Sequence, residues 1–362
     1  WAPALVQIAA DDFGDVPPVC LEGRDVERFQ RHLSRLVRVL RVEPVDDVVE
    51  VTVDRPLNLD VPAEANPRLI PVGVARNIAL RDVSLVANCP EALAIANHTE
   101  AACTNAQVLD DNGVFFEWTW GALAERVAGQ GFGKFTIVVQ HSADAAVRDC
   151  SMHHPAAYGD GGQGYGVHLI RTGRTVVRGE RVDVARHGVV VDFGSTDAQV
   201  LDCDLRNMNQ ALIDVHGEAS YDTLIRGNVL AGSTLGVIVG GGGRDVHCND
   251  GPRHHVEDND IRDCALAAVS ISDYTRGLFV RSNALDASGT LFTAAFGGGG
   301  ALIERNMLGA AGVFAISLGS EGTGDVTVRR NVFTSACTPE QAVLAVLGAE
   351  RPVLEDNVFC PE

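Results

Sequence analysis

The densest cluster of chemically capable side chains is Asp214-Val-His-Gly-Glu218. On an extended strand Asp214 and His216 project from the same side, and Gly217 lets a ligand approach the backbone. An imidazole near neutrality is suited to removing a proton, so His216 reads as a general base. Arg171 reads as the cation that neutralises a substrate carboxylate through a charge-assisted, bidentate contact and so holds an enolate-like intermediate. Tyr165 or His168 would return a proton to the leaving oxygen, with His187 at the entry to a neighbouring strand. Lys134, the one lysine of the chain, is the alternative amine base. Asp192 and Asp214 are two carboxylates that can share a calcium ion or divide into acid and base for glycoside hydrolysis. Gln140, His141, Glu218 and Arg226 are the polar residues expected around a bound substrate. Trp118 and Trp120 offer rings for stacking on a sugar or for packing their own loop.

The elements that must position these residues are repeats. Val147-Arg-Asp-Cys-Ser-Met152, Val177-Arg-Gly-Glu-Arg-Val182, Val200-Leu-Asp-Cys-Asp-Leu205 and Ile225-Arg-Gly-Asn-Val-Leu230 follow one pattern. It continues through segments centred on Asn259, Asn283, Asn306, Asn331 and Asn357. The fourth position recurs at spacings of 30, 23, 25, 31, 24, 23, 25 and 26 residues. Short alternating apolar runs at such a period are the signature of a β-solenoid, each repeat forming one coil. Asparagine suits the recurring position because it tolerates a left-handed turn and its amide can bond to the next asparagine in the stack.

This pattern resembles the right-handed parallel β-helix of the pectin-lyase-like superfamily, over roughly residues 70 to 360. The resemblance implies an all-β, single-stranded β-helix of about ten coils, with glycan-active sites on the outer face of the strand preceding the ladder strand. Taking Val139, Leu169, Val191, Ile213, Val239 and Ile271 as inward turns Gln140, Ile170, Asp192, Asp214, Gly240 and Ser272 outward. Asp192 and Asp214 would then lie one rung apart, about 4.8 Å, as in the aspartate-lined calcium sites of pectate lyases. The expected activity is that of a polysaccharide lyase cleaving an acidic, uronate-containing polysaccharide by β-elimination. A glycoside hydrolase or epimerase on the same fold, or a non-catalytic carbohydrate-binding adhesin, stands beside it.

Composition narrows the class. The chain of 362 residues is 46% hydrophobic, carries a net charge of −19 and has a pI near 4.9, which argues against a nucleic-acid partner. The same charge opposes a polyanionic substrate unless a cation or local arginines mediate contact. No run reaches the length of a membrane helix. The chain opens at Trp1 with neither Met nor signal peptide, as expected after removal of a leader. Nine cysteines point to an oxidising, secreted or surface location, with Cys89–Cys103, Cys248–Cys264 and Cys337–Cys360 as expected pairs. Cys150 and Cys203 occupy the ladder position and read as packing residues. No GxxxxGK[ST], GxSxG, CxxC or zincin spacing occurs.

One domain spanning 1–362 is expected, with an N-terminal cap over 1–47 and coils over 48–360. Within the cap, Val26, Phe29, Leu33, Leu36, Val37 and Leu40 recur at helical spacing after Asp25. A capping helix over 25–40 is therefore expected to cover the open end of the solenoid. Loop excursions are expected at 97–133, holding the tryptophans and a short helical stretch over 122–126, and at 151–165, a glycine-rich rim. Oligomeric state is not legible.

Overall fold

Apolar residues fall into three columns, and the columns are the fold. The first runs Val139, Leu169, Val191, Val215, Val239, Ile271, Ala294, Leu318, each in parallel register with the next. The second runs from Val147 through Val177, Val200, Ile225, Val256, Val280 and Ile303 to Val328. The third runs Met152, Val182, Leu205, Leu230, Ile261, Leu285, Leu308, Phe333. Nearly all are wholly buried, in one continuous core. β-Branched and aliphatic side chains suit such pleated, stacked faces. Each coil therefore contributes three short parallel strands, and a 26-stranded sheet winds around the core.

In this computed structural model the described residues are 5–10, 33–46, 48–54, 68–87, 111–156, 162–216, 220–240, 253–272, 275, 277–295, 298–312, 314–319, 324–345 and 349–361.

The asparagine ladder is present. Nδ2 of Asn228, Asn259, Asn283, Asn306 and Asn331 each donates to Oδ1 of the next asparagine at 2.8, 3.0, 3.0, 3.0 and 3.0 Å. The same Oδ1 accepts the preceding residue's backbone N–H, as for Asn259 onto Asn283 at 2.9 Å. The left-handed turn falls one residue earlier than the sequence pattern suggests. Asp202, Asp258, Ser282, Arg305, Arg330 and Asp356 have φ between 50° and 58°, and Gly179 and Gly227 take the same place at 70° and 71°. The asparagine is kept for its amide, not for its backbone.

Toward the N-terminal end, Glu180 and the two cysteines replace asparagine. Cys150 and Cys203 are buried thiols, each pushed up to about 12 by burial. Glu180 is wholly buried; its Oε1 accepts the Cys150 N–H at 3.3 Å, and burial holds its carboxyl well above the usual range.

Several expectations are corrected. Residues 33–40 of the expected helix lie in the strand Leu33–Val45, paired antiparallel with Leu5–Ala10 and Val48–Val53. The rest of that helix lies outside the described residues. Short apolar runs fit both periods, and here strand partners decide between them. Val48–Val53 belongs to this antiparallel sheet and not to a coil; the parallel stack begins at Ala75–Arg76 and Ala79–Val86. The described part of the 97–133 excursion is itself a coil, with strands Asn112–Glu117, Thr119–Trp120 and Leu123–Gln130 replacing the expected short helix. The one described helix is the short Pro339–Ala342. Cys337 and Cys360 form the expected disulfide. Cys264 is a free, buried thiol 3.7 Å from Ser233 Oγ, so its expected pairing with Cys248 is not made. Cys89 and Cys103 lie outside the described residues.

Candidate active site

Four successive strands present the titratable residues: Phe135–Gln140, Tyr165–Ile170, Arg181–Asp192 and Asp204–His216. Their inward residues fill the first apolar column, so the alternate residues face out. Near the strand entries the rings of Phe135, Tyr165, His168 and His187 touch, with centroids 4.5 to 5.3 Å apart. Gly188 makes the packing beneath them possible: a Cβ there would meet the Leu212 carbonyl oxygen at 2.6 Å and Leu205 Cδ1 at 3.0 Å.

A chain of alternating imidazoles and carboxylates crosses this face. His168 Nε2 is 3.0 Å from Asp192 Oδ2, which is 3.5 Å from His216 Nε2. His216 Nδ1 is 3.0 Å from Asp214 Oδ1, and Asp214 Oδ2 is 3.4 Å from His187 Nδ1. The side chains of His168, Asp192, Asp214 and His187 are 4 to 7% exposed, whereas that of His216 is 13% exposed. Burial, outweighing the neighbouring Asp214, pushes His187 down to about 4. Burial likewise lowers His168 despite Asp192. Both inner imidazoles are therefore neutral near pH 7, and a proton taken up at His216 sits between two carboxylates.

The register differs from the sequence expectation. Asp192 pairs with His216, and Asp214 pairs with Val190, so the carboxylates are offset and the imidazole stands between them. Within this pairing Ala185 faces Met208 but His187 faces Ala211, so the strand Asp204–His216 carries one extra residue there. A calcium ion takes about six to eight oxygen ligands, and carboxylates facing imidazole nitrogens do not supply such a set. Among the described residues no group of three or more His, Cys, Asp or Glu side chains is disposed to hold a metal.

A second cluster occupies the turn beside these strands. Trp118, His141, Arg171 and Phe193 end successive strands at φ 51°, 46°, 51° and 43°. Arg171 Nη1 donates to His141 Nε2 at 3.2 Å, and the His141 ring stacks on Trp118 at 4.6 Å. Gln140 Nε2 reaches Glu117 Oε1 at 3.4 Å. Burial, then the charge of Arg171, lowers His141. This places Arg171, His141, Gln140 and Trp118 along one margin of the imidazole–carboxylate chain.

Other expected residues are not brought here. Trp120 is buried with Leu36, Ala143, Val72 and Val74, under the Arg38 guanidinium at 5.3 Å. It docks the small antiparallel sheet and is closed to sugar. Arg226 pairs with Leu201 and Glu257 on the sheet leading into the asparagine ladder, away from His216. Lys134 accepts the Tyr165 N–H through its carbonyl at 2.9 Å, just before the first of the four strands. Glu218 lies outside the described residues. Sequence reasoning passed over Arg186, whose guanidinium lies 5.7 Å over the Tyr165 ring; its place before His187 in a strand entry was the available signal.

Residues 188–359 match the family model described as right handed beta helix region. Among solved structures the chain is similar to the periplasmic alginate epimerase AlgG, at 13% identity and TM-score 0.51, covering 68% of this chain and 70% of that one. It is also similar to a tailspike protein of E. coli bacteriophage HK620 in complex with pentasaccharide, at 14% identity and TM-score 0.49, over 67% of this chain and 47% of that one. A third is the Streptococcus pneumoniae surface protein and adhesin PfbA, at 11% identity and TM-score 0.49, covering 69% of this chain and 78% of that one. The likeness to the epimerase, at such identity, is one of fold alone. No curated protein matches the sequence. The stacked columns, the asparagine ladder and the match over residues 188–359 together give this chain the right-handed parallel beta-helix fold.

Proposed function

We propose that the chain is a secreted or periplasmic lyase acting on a uronate-containing polysaccharide, with His216 as the base. The observation that carries this reading is the position of His216, the most open member of the imidazole–carboxylate chain, with Nδ1 3.0 Å from Asp214 and Nε2, at the longer distance of 3.5 Å from Asp192, as the nitrogen that takes the proton. His216 removes the proton from the carbon next to the uronate carboxylate. The electron pair left behind forms a double bond as the bond from the neighbouring carbon to the glycosidic oxygen breaks. The imidazolium then supplies the proton that the leaving oxygen needs. Arg171, set at the margin by its bond to His141, holds the substrate carboxylate while charge builds on it. This local cation answers the net acidity of the chain. Hydrolysis is disfavoured because both aspartates face imidazoles and their side chains are only 4 and 7% exposed. The disulfide supports an oxidising compartment.

A second reading, epimerisation, needs a proton delivered to the opposite face of the same carbon, and the continuity from His216 through Asp192 to His168 favours it by offering a second imidazole for that step. It shares the first step with elimination. Alginate, pectate and glycosaminoglycan would be incubated in deuterated water and followed by ultraviolet absorbance and NMR. An unsaturated product lost in His216→Ala supports the lyase. Deuterium incorporation without unsaturation moves the assignment to epimerase. Binding without either product leaves a non-catalytic module.

A further inference from the structure

Around the corner from His216, the same coils carry a second column of left-handed residues. Asp144, Arg174, Asp197, Asp222 and Arg253 have φ of 55°, 52°, 53°, 56° and 68°. Beside the last three opens a cleft of about 470 Å³ lined by Asp197, Asp222, Arg253 and His255. Arg253 donates from Nε and Nη2 to the two oxygens of Asp222 at 2.6 and 2.9 Å, and its guanidinium lies 5.7 Å from the centre of the buried Tyr221 ring. The His255 ring stacks on Phe279 at 4.7 Å and 22°, with Nδ1 3.0 Å from Glu257 Oε1. Planar polar groups are thus held in fixed orientations around one concavity, beside a flat ring.

We propose that this cleft is a second, non-catalytic binding site for a neutral, hydroxyl-rich saccharide. Carboxylates accept pairs of sugar hydroxyls, the guanidinium donates to others, and the His255 ring covers the C–H face of a pyranose. Charge decides the class of sugar. Among the described residues Asp197, Asp222 and Glu257 stand against two guanidinium groups, Arg253 and Arg281, the latter 3.9 Å from Glu257, so one carboxylate is in excess and a uronate is repelled where a neutral ring is not. The site does not depend on the reaction assigned to His216.

The test is calorimetric titration of the full chain with neutral trisaccharides (maltotriose, cellotriose, mannotriose, chitotriose) and with a trimer of uronate. At least one neutral trisaccharide is expected to bind, with affinity falling at least about tenfold in Asp197→Asn and in His255→Ala and unchanged in His216→Ala. Asparagine takes the left-handed backbone at 197 as aspartate does, so that variant keeps the turn. Failure of every neutral trisaccharide to bind overturns the proposal. So does binding that survives both cleft substitutions, or uronate binding that His255→Ala abolishes.

Discussion

Asp192 lies directly beside His216 on the next coil, with Oδ2 3.5 Å from Nε2. The same Asp192 oxygen is also 3.0 Å from His168 Nε2. One carboxylate therefore orients two imidazoles of different character, a buried one that stays neutral and a more open one that can meet a substrate. That division of labour sets the expectations for mutation.

His216→Ala is expected to lower kcat by about 10²- to 10⁴-fold, the usual contribution of a positioned acid–base group. Asp192→Asn should cost less, because the Asp214 carboxylate stays 3.0 Å from the other ring nitrogen and its charge still favours the imidazolium. Initial rates on the substrate identified by the product assay check both. Equal losses in the two variants would mean that the imidazole and Asp192 act as one unit.

Chelation should leave turnover unchanged, since the two aspartates are engaged by imidazoles rather than arranged around a cation. Rates with and without EDTA, after dialysis, decide this. Loss of activity restored by calcium would return the aspartates to a metal-binding role.

Acidification should destabilise the fold through His187. Its folded pKa is about 4 against an ordinary 6.5, with Asp214 opposing the burial and Arg186 and His216 adding to it. The unfolded chain takes up the proton first, so stability is complete above the ordinary value and is lost as pH falls toward the folded one. His187→Gln should remove on the order of 2 kcal/mol of the difference between denaturant melts at pH 7 and near pH 4.

Glu180 carries the opposite sign. Its folded pKa is raised by burial, so its favourable contribution is present at low pH and declines as pH rises above the ordinary carboxylate value. Glu180→Gln is expected to raise Tm by about 2–4 °C at pH 7 while changing little near pH 4. Calorimetry at both values checks it.

Ladder position should grade the cost of losing an amide. Asn283→Ala strands the Asn259 N–H and the Val256 carbonyl, which now bond Asn283 at 2.9 and 2.8 Å. The loss should be about 3 kcal/mol. Asn357→Ala, on the partly exposed last rung, should cost less, since water can replace its bond to Asn331. Urea melts of the two variants give the comparison.

The columns and the ladder were legible because each coil repeats the same burial problem, and Val200, Ile225 and Val256 answer it alike. Whether Asp214 faces in or out was also legible, since alternation fixes parity. Which residue it sits beside was not: sliding a strand by two residues keeps every apolar side chain inside. The extra residue between Met208 and Ala211 is invisible to such a pattern. Trp120 and the strand Leu33–Val45 were misread for a related reason. Their partners come from a distant part of the chain, and local spacing carries no record of them.

The disulfide joining Cys337 to Cys360 closes a loop around the last of the described coils. In a solenoid each coil is held mainly by its neighbour, so a pull on a free end would peel the stack one coil at a time. Tension applied beyond Cys360 crosses the sulfur bridge to Cys337 and bypasses the strands Val343–Ala345, Val353–Glu355 and Val358–Phe359. That coil is thereby mechanically shielded, and under oxidising conditions force is delivered to the neighbouring coil that holds Phe333.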